Sequence, residues 1–430
     1  MKKYFFILLF LPSIINAQEM LLPDDAINIA LEHNLGIQTA KMQTAASYLQ
    51  VFKGNAGMLP KIDWNTTISG SLTDVKQTLS SGSETDKFAS SFTPTSNLVF
   101  SWLLYDGKRM FATFDKLKNQ SELSNLQTRL TMENTIANVL NTYYQIMLQK
   151  QTVKFLETNI KLYEERLKIT DNRWQFGKGS KLDYLQSKND VNAQVALLYN
   201  AQAALKNGKV ALNQLLSRNP EIDFDVLETI NLVYNPNLEE LKEAAKSNNK
   251  NLQILRKNEN INRLVLQEVE ALKKPRLTLN SNYGYSLNKS NAGLFLLNQN
   301  LGLTAGVTLT WNIFNGEITR RQIQTAKINT EINQKQQQDL QSQIDANLLQ
   351  QFNQYQTDKK QLALEEENFK LAEENLNIGL EKFKLGASTI LDINEAQRRY
   401  DASENRLVNA RYNVKADELT LLILSGELVK

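Results

Sequence analysis

An internal duplication constrains the fold of this chain more than any other feature of its sequence. Pro60 and Pro275 align at an offset of 215 residues, and further along the chain the offset becomes 209. At the second offset, a six-residue segment beginning at Trp102 matches one beginning at Trp311. A repeat of this length predicts two copies of one structural unit. The change of offset indicates a difference in loop length between Pro60 and Trp102.

Long helices are predicted in both copies. Residues 95–219 and 276–430 contain no proline, and proline disrupts helix interiors. Large apolar residues recur there every seven positions, which predicts left-handed supercoiling. We call each such series of apolar residues a lane. A second lane lies two residues further along the sequence and therefore on the opposite side of each helix. Each helix is thus expected to have neighbours on two sides. The first lane comprises Val139, Ile146, Val153, Ile160, Leu167 and Trp174, and in the second copy Leu348, Tyr355, Leu362, Phe369, Leu376 and Phe383.

Two strands are predicted before the long helix of each copy. Apolar and polar residues alternate from Leu301 to Ile313, and weaker alternation precedes each long helix elsewhere. Lengths near ten residues suit tilted membrane strands, with aromatic residues at the membrane interfaces, although the same alternation fits an ordinary half-buried sheet. The predicted strands cover about 61–72, 95–105, 276–288 and 300–314, and their candidate barrel aromatics are Trp64, Trp102 and Trp311.

These elements divide the chain into four parts. Residues 1–17 have the layout of a secretory signal peptide, with two lysines before an apolar run and Ala17 at the cleavage site. The first repeat covers residues 18–218, a linker or equatorial segment covers 219–237, and the second repeat covers 238–430. In each repeat the order is helix, two strands, long helix, helix. The fold class is therefore mainly α with a small β part, and segments 73–97 and 288–300 are expected to be loops between strands.

Composition excludes several classes of function. The chain has no cysteine and one histidine, so it cannot build a Cys/His zinc site, an iron–sulfur cluster or a thiol nucleophile. Its 49 basic and 46 acidic side chains give no polybasic footprint for nucleic acid. We expect no catalytic residue, no cofactor and no metal. A soluble periplasmic coiled-coil scaffold or adaptor protein remains a possible alternative to a membrane protein.

Strand number implies an oligomer if the strands cross a membrane. No stretch after residue 17 has the ~18 consecutive apolar residues of a transmembrane helix, so strands would have to make the crossing. Four strands cannot close a barrel, and lipid does not tolerate an open sheet edge. Copies must therefore pool their strands. Two chains would supply eight strands and three would supply twelve, and both are allowed sizes.

Two motifs, each present twice, resemble those of the TolC family of outer-membrane efflux proteins. One is Trp-x-x-Phe/Tyr-Asp/Asn-Gly, beginning at Trp102 and Trp311, and the other is Phe/Leu-Gly-x-x-Ser/Thr-x-Leu-Asp, beginning at Phe176 and Leu385. The resemblance implies a homotrimer with a twelve-stranded β-barrel in the Gram-negative outer membrane above a twelve-helix α-barrel in the periplasm. It also implies a passive exit duct for tripartite efflux or type I secretion. The implied partners are outer-membrane lipid, a periplasmic adaptor (membrane fusion) protein and an inner-membrane RND or ABC pump.

The second motif would form the periplasmic tip, with its turns at Gly177 and Gly386. Asp183 and Asp392 have two interpretations. Each follows a serine or threonine by three residues, as in a capping box at the start of a helix. The resemblance instead implies an acidic ring at the tunnel entrance, formed by Asp392 together with Glu395, one helical turn further on.

The sequence departs from the family at the gate. The resemblance implies a closing network of a tyrosine and an arginine with the first-copy aspartate, here Asp183, but those two positions hold Phe383 and Ser388. A closed gate here would rest on apolar contacts of Trp174, Phe176 and Phe383, or on polar pairs such as Asp183 with Lys178 or Lys181. Alternatively, Trp174 and Phe383 are the last apolar residues of the seven-residue lanes.

Overall fold

The computed structural model describes residues 19–78, 80–292 and 295–428, and the predicted signal peptide, residues 1–17, lies outside them. The chain is mostly helical with a small sheet part, which confirms the predicted fold class. Each half runs through helix, two strands, long helix and helix. The helices are Pro23–His33 (α1), Leu35–Leu49 (α2), Arg109–Gln175 (α3), Lys181–Leu215 (α4), Leu238–Asn248 (α5), Lys250–Glu270 (α6), Ile318–Lys384 (α7) and Ile390–Ser425 (α8). The strands are Glu19–Met20 (β1), Lys61–Thr78 (β2), Glu84–Tyr105 (β3), Phe224–Asp225 (β4), Arg276–Ser290 (β5) and Leu297–Thr310 (β6).

The chain forms two compact units. Residues 41–127 and 251–340 form the first, which we call the sheet unit because it contains β2, β3, β5 and β6. The described residues up to 40, with 128–250 and those from 341 onward, form the second, which we call the hairpin unit. No helix in the described ranges combines the length and hydrophobicity needed to cross a membrane.

The sheet unit holds a four-stranded antiparallel sheet in the order β2-β3-β5-β6. The first two strands are longer than predicted, and part of the predicted loop at 73–97 is therefore wrong. Ser71 pairs with Ser91 across this hairpin and their hydroxyls lie 2.8 Å apart. The backbone ladder thus continues through a segment where polar and charged residues interrupt the apolar alternation, so the pattern gives only a weak signal.

The last strand ends earlier than predicted. Thr310 pairs with Arg276, the first residue of β5, and Pro275 precedes it, so residues 311–314 have no partner on β5. Trp311 instead donates its indole N–H to the carbonyl of Lys273 at 3.0 Å. The predicted strand at 300–314 is thus replaced by β6, which also begins three residues earlier and shortens the predicted loop at 288–300.

In the hairpin unit, asparagines break helices that the sequence predicts to be continuous. The segment 238–274 reads as one helix, but it splits at Asn249 into α5 and α6, as the first copy splits at Asn34. The Asn34 side-chain amide donates to the Leu215 carbonyl at 2.8 Å, and that of Asn249 donates to the Leu424 carbonyl at 3.1 Å. Asparagine offers the backbone an alternative partner, and here it also ties each break to the end of another helix.

The main core of the hairpin unit surrounds Tyr143 on α3. Its side chain is 0% exposed, and its hydroxyl donates to the Leu21 carbonyl at 2.8 Å. The predicted linker at 219–237 takes part in this core through β4, which pairs in parallel with β1. Burial of this apolar cluster anchors the linker to the long helix. The cluster comprises Leu21, Ala26, Ala30, Val139, Tyr143, Ile146, Met147, Leu212, Leu216, Phe224 and Val226.

Candidate functional site

Two equivalent turns join the helices of the predicted tip. Gly177 (φ +64°) follows α3 and Gly386 (φ +76°) follows α7. The next residue in each turn donates its backbone N–H to a carbonyl five residues back, 2.7 Å to Arg173 and 2.8 Å to Lys382. Both therefore have the left-handed glycine and the bonding of a Schellman ending, in which glycine avoids the strain that a side chain would suffer.

The two turns differ at the following helix start. Thr389 and Asp392 form a full capping box, with Thr389 N–H donating to the Asp392 carboxylate at 2.9 Å. The first copy forms a simpler cap, in which the Ser180 hydroxyl accepts from the backbone N–H of Leu182. The box predicted for Asp183 is therefore replaced by a serine cap. Hydrogen bonds from the Thr389 N–H and then its hydroxyl lower the pKa of Asp392.

Glu395 lies one turn beyond Asp392 on α8 and is ion-paired. Its carboxylate accepts from Arg399 Nε at 2.7 Å and also from Arg398. These guanidinium groups, Arg399 first, lower the pKa of Glu395. The negative charge of Glu395 is therefore balanced within its own helix. The sequence signals of this pairing are the spacings of three and four residues from Glu395 to Arg398 and Arg399.

The three aromatic residues of the predicted gate lie in different surroundings. Phe383 is 1% exposed in an apolar cluster, and the Arg173 guanidinium lies 4.4 Å from its ring centroid. Trp174 stacks on Tyr184 with ring centroids 5.2 Å apart, while Phe176 is 76% exposed. Phe383 is thus a packing residue in this chain. Its cluster contains Leu376, Leu380, Phe383, Ile393, Ala396 and Tyr400.

A buried arginine that the sequence analysis did not single out joins three helices above these turns. Arg166 on α3 is 1% exposed. It donates to Asp190 on α4, and on α8 to Asn394 and, at 2.6 Å, to Gln397. These acceptors satisfy both terminal nitrogens of the buried guanidinium, which would be costly to bury without them, while its Nε has no hydrogen-bond partner among the described residues. Arg166 therefore fixes α3, α4 and α8 together.

A partly buried carboxylate continues this network. The Asp401 carboxylate on α8 accepts from Asn159 Nδ2 and from the Tyr163 hydroxyl, each at 2.7 Å. Burial raises the pKa of Asp401 despite these donors, and burial followed by the Asp401 charge raises the pKa of Tyr163. We call this set the polar seam; it comprises Asn159, Tyr163, Arg166, Asp190, Asn394, Gln397 and Asp401.

The sequence did contain a signal for the polar seam. Asn159, Arg166 and Arg173 recur every seven residues on α3, and Asn394 and Asp401 do so on α8. A polar lane with the period of the apolar lanes indicates polar residues at a helix interface. This signal is weaker than the apolar one, because the same spacing also occurs on solvent-exposed faces.

A cavity of about 750 Å³ lies between α3, α7 and α8. Its lining includes Glu404 and Glu373 as well as Lys150 and Lys370. Burial raises the pKa of Glu404 to about 7; the Tyr400 hydroxyl opposes this shift, and the charges of Asp401 and Glu373 add to it. Glu404 therefore titrates near neutral pH at the edge of this cavity.

We expect the Glu404→Gln variant to be more stable than the wild type above pH 7. An unfolded glutamate ionises near its ordinary pKa of 4.5, whereas folded Glu404 holds its proton to about 7. The cost of ionising Glu404 is absent below pH 4.5, grows as the pH rises, and is complete above pH 7. Above pH 7 the free energy of unfolding of the variant should exceed that of the wild type by on the order of 1 kcal/mol, because Glu404 is partly solvated.

Thermal unfolding in detergent, measured below pH 4.5 and above pH 7, tests this expectation. The exposed Glu367→Gln on α7 is the matched control and should leave the pH dependence unchanged. Equal melting temperatures of wild type and Glu404→Gln above pH 7 would contradict the assigned burial cost.

Comparison with known families gives a match over most of the chain. A family model described as "Outer membrane efflux protein" matches residues 26–218 and 241–427. Among curated proteins, the alkaline protease secretion protein AprF of Pseudomonas aeruginosa is 23% identical over 169 residues. That match spans 39% of this chain and 34% of the relative, so the chain spans about a third of that relative's length.

Solved structures show the same fold over nearly the whole chain. The outer membrane protein VceC from Vibrio cholerae has a TM-score of 0.75 at 17% identity, covering 94% of this chain and 96% of that one. The Campylobacter jejuni CmeC outer membrane channel has a TM-score of 0.75 at 16% identity, covering 95% and 86%. The outer-membrane channel OprN has a TM-score of 0.78 at 14% identity, covering 94% and 90%.

Proposed function

The chain belongs to the outer membrane efflux protein family, and from that premise we propose that it is the passive exit duct of a tripartite efflux or type I secretion system. It is an outer-membrane protein that extends into the periplasm. In the proposed assembly three copies surround one axis, and substrates pass through the centre without chemical change. This proposal replaces the soluble scaffold that the sequence left open.

One observation carries the proposal, the exposed apolar edge strands of the sheet. Within the described residues β2 pairs with β3 alone and β6 with β5 alone, and large apolar side chains along both are exposed. Such a sheet cannot lie in lipid with its edges open, because unpaired backbone groups are costly there. Several copies must therefore close the sheet, and three copies of four strands give twelve, an allowed barrel size.

The proposed partners are a periplasmic adaptor protein and an inner-membrane pump of the RND or ABC class. The name of the relative AprF concerns protease secretion, which supports the secretion alternative. The family description supports efflux. We propose that the pump selects the substrate, since the duct needs only a polar lining to let it pass.

We propose that the tip contains the periplasmic entrance. Gly177 and Gly386 shape its turns, and the carboxylates of Asp183, Asp392 and Glu395 lie near the opening. Trp174, Phe176 and Phe383 give the tip its apolar contacts, and the polar seam holds the two helical hairpins together. Glu395 contributes less to the negative electrostatic potential at the entrance than an unpaired carboxylate would, because Arg398 and Arg399 offset its charge.

Purification and reconstitution test the proposed function. The mature protein in detergent should have the mass of a trimer, and in a planar lipid bilayer it should give discrete single-channel conductance. A monomer that carbonate removes from membranes and that never conducts would contradict the proposal and favour a scaffold.

We expect the double variant Asp392→Asn with Glu395→Gln to lose cation selectivity. The change removes two carboxylates from each copy and leaves Arg398 and Arg399 uncompensated, so the local field should favour anions. The reversal potential in a salt gradient should move toward the anion value. The exposed Glu374→Gln on α7 is the control. An unchanged reversal potential in the double variant would exclude these carboxylates from the selectivity of the pore.

A further inference from the structure

The two outer strands of the sheet present complementary apolar edges. Val307 on β6 is 59% exposed and Ile68 on β2 is 71% exposed. All fourteen residues of β6 are exposed, and its outer backbone edge faces no strand in the described chain. A long apolar edge strand of this kind is a template for another strand.

The internal repeat holds residue by residue in the sheet unit. The first hairpin pairs Trp64 with Leu98, and the second pairs Leu279 with Val307, which are the same positions at the offsets of 215 and 209. The tryptophan contacts repeat as well, since Trp102 donates to the carbonyl of Met58 at 3.0 Å as Trp311 does to that of Lys273. Strand β5 is therefore the counterpart of β2, and β6 is the counterpart of β3.

The central strand pair then serves as a template for a junction between copies. β3 ends the first hairpin and pairs with β5, which begins the second, placing Leu98 opposite Tyr283. By the repeat, β6 should pair in the same way with the β2 of another molecule.

We propose that β6 of one copy pairs antiparallel with β2 of its neighbour, with Val307 opposite Ile68. The inference rests on the proposed oligomer and adds the register, which also sets Leu309 opposite Thr66, Thr308 opposite Thr67, and Ala305 opposite Gly70.

Hydropathy supports this register independently. The odd-numbered residues of β6 form its apolar lane, and on β2 the large apolar residues Ile62, Trp64, Ile68 and Leu72 are even-numbered. The proposed register places odd residues of β6 opposite even residues of β2. A slip of one residue would place every apolar side chain of β6 beside the polar lane of β2, which a sheet with one apolar face does not tolerate.

A glycine after β6 provides a second line of support. Gly107 follows β3 with φ +74°, and a Cβ there would lie 2.7 Å from the Ala271 carbonyl oxygen. Its counterpart Gly316 has φ +65°, but within the described part of the chain no other residue lies within 4 Å of a Cβ at that position. The counterpart of Ala271 at the offset of 215 is Ala56. The space over Gly316 thus fits the Ala56 segment of a neighbouring copy.

The proposed pairing joins two different edges of identical chains, so the interface is heterologous. A closed assembly built from such an interface is a ring of copies. Pairing of β6 with another β6, or of β2 with another β2, would instead give a two-fold dimer. The repeat contains a template only for the heterologous case, which is the pairing of β3 with β5.

Cysteine cross-linking tests the register, and the chain has no native cysteine to interfere. The double variant Thr308→Cys with Thr67→Cys should oxidise to a covalent ladder of oligomers on a non-reducing gel. The observed pair Val99→Cys with Asn282→Cys is the positive control and should cross-link within one chain. Thr308→Cys with Ser71→Cys is the matched negative control, since Ser71 lies four residues out of register on the same face, beyond disulfide reach.

A second pair guards against unfavourable disulfide geometry. Val307→Cys with Ile68→Cys occupies the adjacent position, which alternates in hydrogen-bonding type with the first. A covalent ladder from either in-register pair, with none from the Ser71 control, supports the proposal. Trimers that form without either cross-link, or a ladder from the Ser71 control, would overturn the register and leave the proposed function standing. Protein that stays monomeric in detergent and in lipid would overturn both.

Discussion

The Arg166→Met variant is expected to lose about 3 kcal/mol of the free energy of unfolding of the hairpin unit. Arg166 is buried and supplies hydrogen bonds to acceptors on α4 and α8. Methionine keeps most of the volume but leaves the Asn394 and Gln397 side-chain oxygens without their donor. Removing one member of a buried charged network costs roughly 3–5 kcal/mol; partly exposed Asp190 can be solvated, which lowers the figure.

Hydrogen exchange and chemical unfolding in detergent measure this loss. Protection should fall in α3, α4 and α8 near the seam and remain unchanged in the sheet unit. The matched control is Lys168→Met on the same helix, where the side chain is exposed. A loss for Arg166→Met no larger than that for Lys168→Met would contradict the structural role of the guanidinium. If the seam also restrains the proposed tip, single-channel conductance should rise in the Arg166→Met protein.

The sequence predicted the features of this fold that depend on long-range periodicity. The duplicated prolines and tryptophans located both pairs of strands, and the seven-residue lane from Val139 to Trp174 lies entirely within α3. Gly177 and Gly386 marked both helical turns correctly, because only glycine takes the left-handed conformation there without strain. These signals are strong because each occurs twice at one offset.

Features that depend on specific side-chain partners could not be predicted in the same way. The breaks at Asn34 and Asn249 come from side-chain bonds to carbonyls about 180 residues away in sequence. Backbone pairing extends β2 and β3 through segments in which charged residues such as Asp74, Lys76 and Asp86 interrupt the apolar alternation. Arg166 belongs to a residue type that is normally exposed, so its burial follows from Asp190 and the α8 acceptors rather than from its own chemistry.

The Gly107→Ala variant is expected to lose about 3 kcal/mol of the stability of the sheet unit. A left-handed residue with a side chain costs roughly 1–2 kcal/mol, and a Cβ at Gly107 would also lie 2.7 Å from the Ala271 carbonyl oxygen and from Lys274 Cβ. Neither group is the free end of a flexible side chain, so the backbone must shift, which adds roughly 1–3 kcal/mol.

Gly82→Ala separates these two costs. Gly82 has φ +80°, and no described residue lies within 4 Å of a Cβ there, so this variant carries the conformational strain without a clash against the described chain. Chemical unfolding of both proteins in detergent should therefore give a larger loss for Gly107→Ala. Equal losses of stability in the two variants would show that the backbone at Ala271 moves away from the added Cβ at no measurable cost. In that case the contact between Gly107 and the Ala271 segment would not require glycine. The open space at Gly316 would then no longer support the proposed junction between copies, which would depend on the strand register alone.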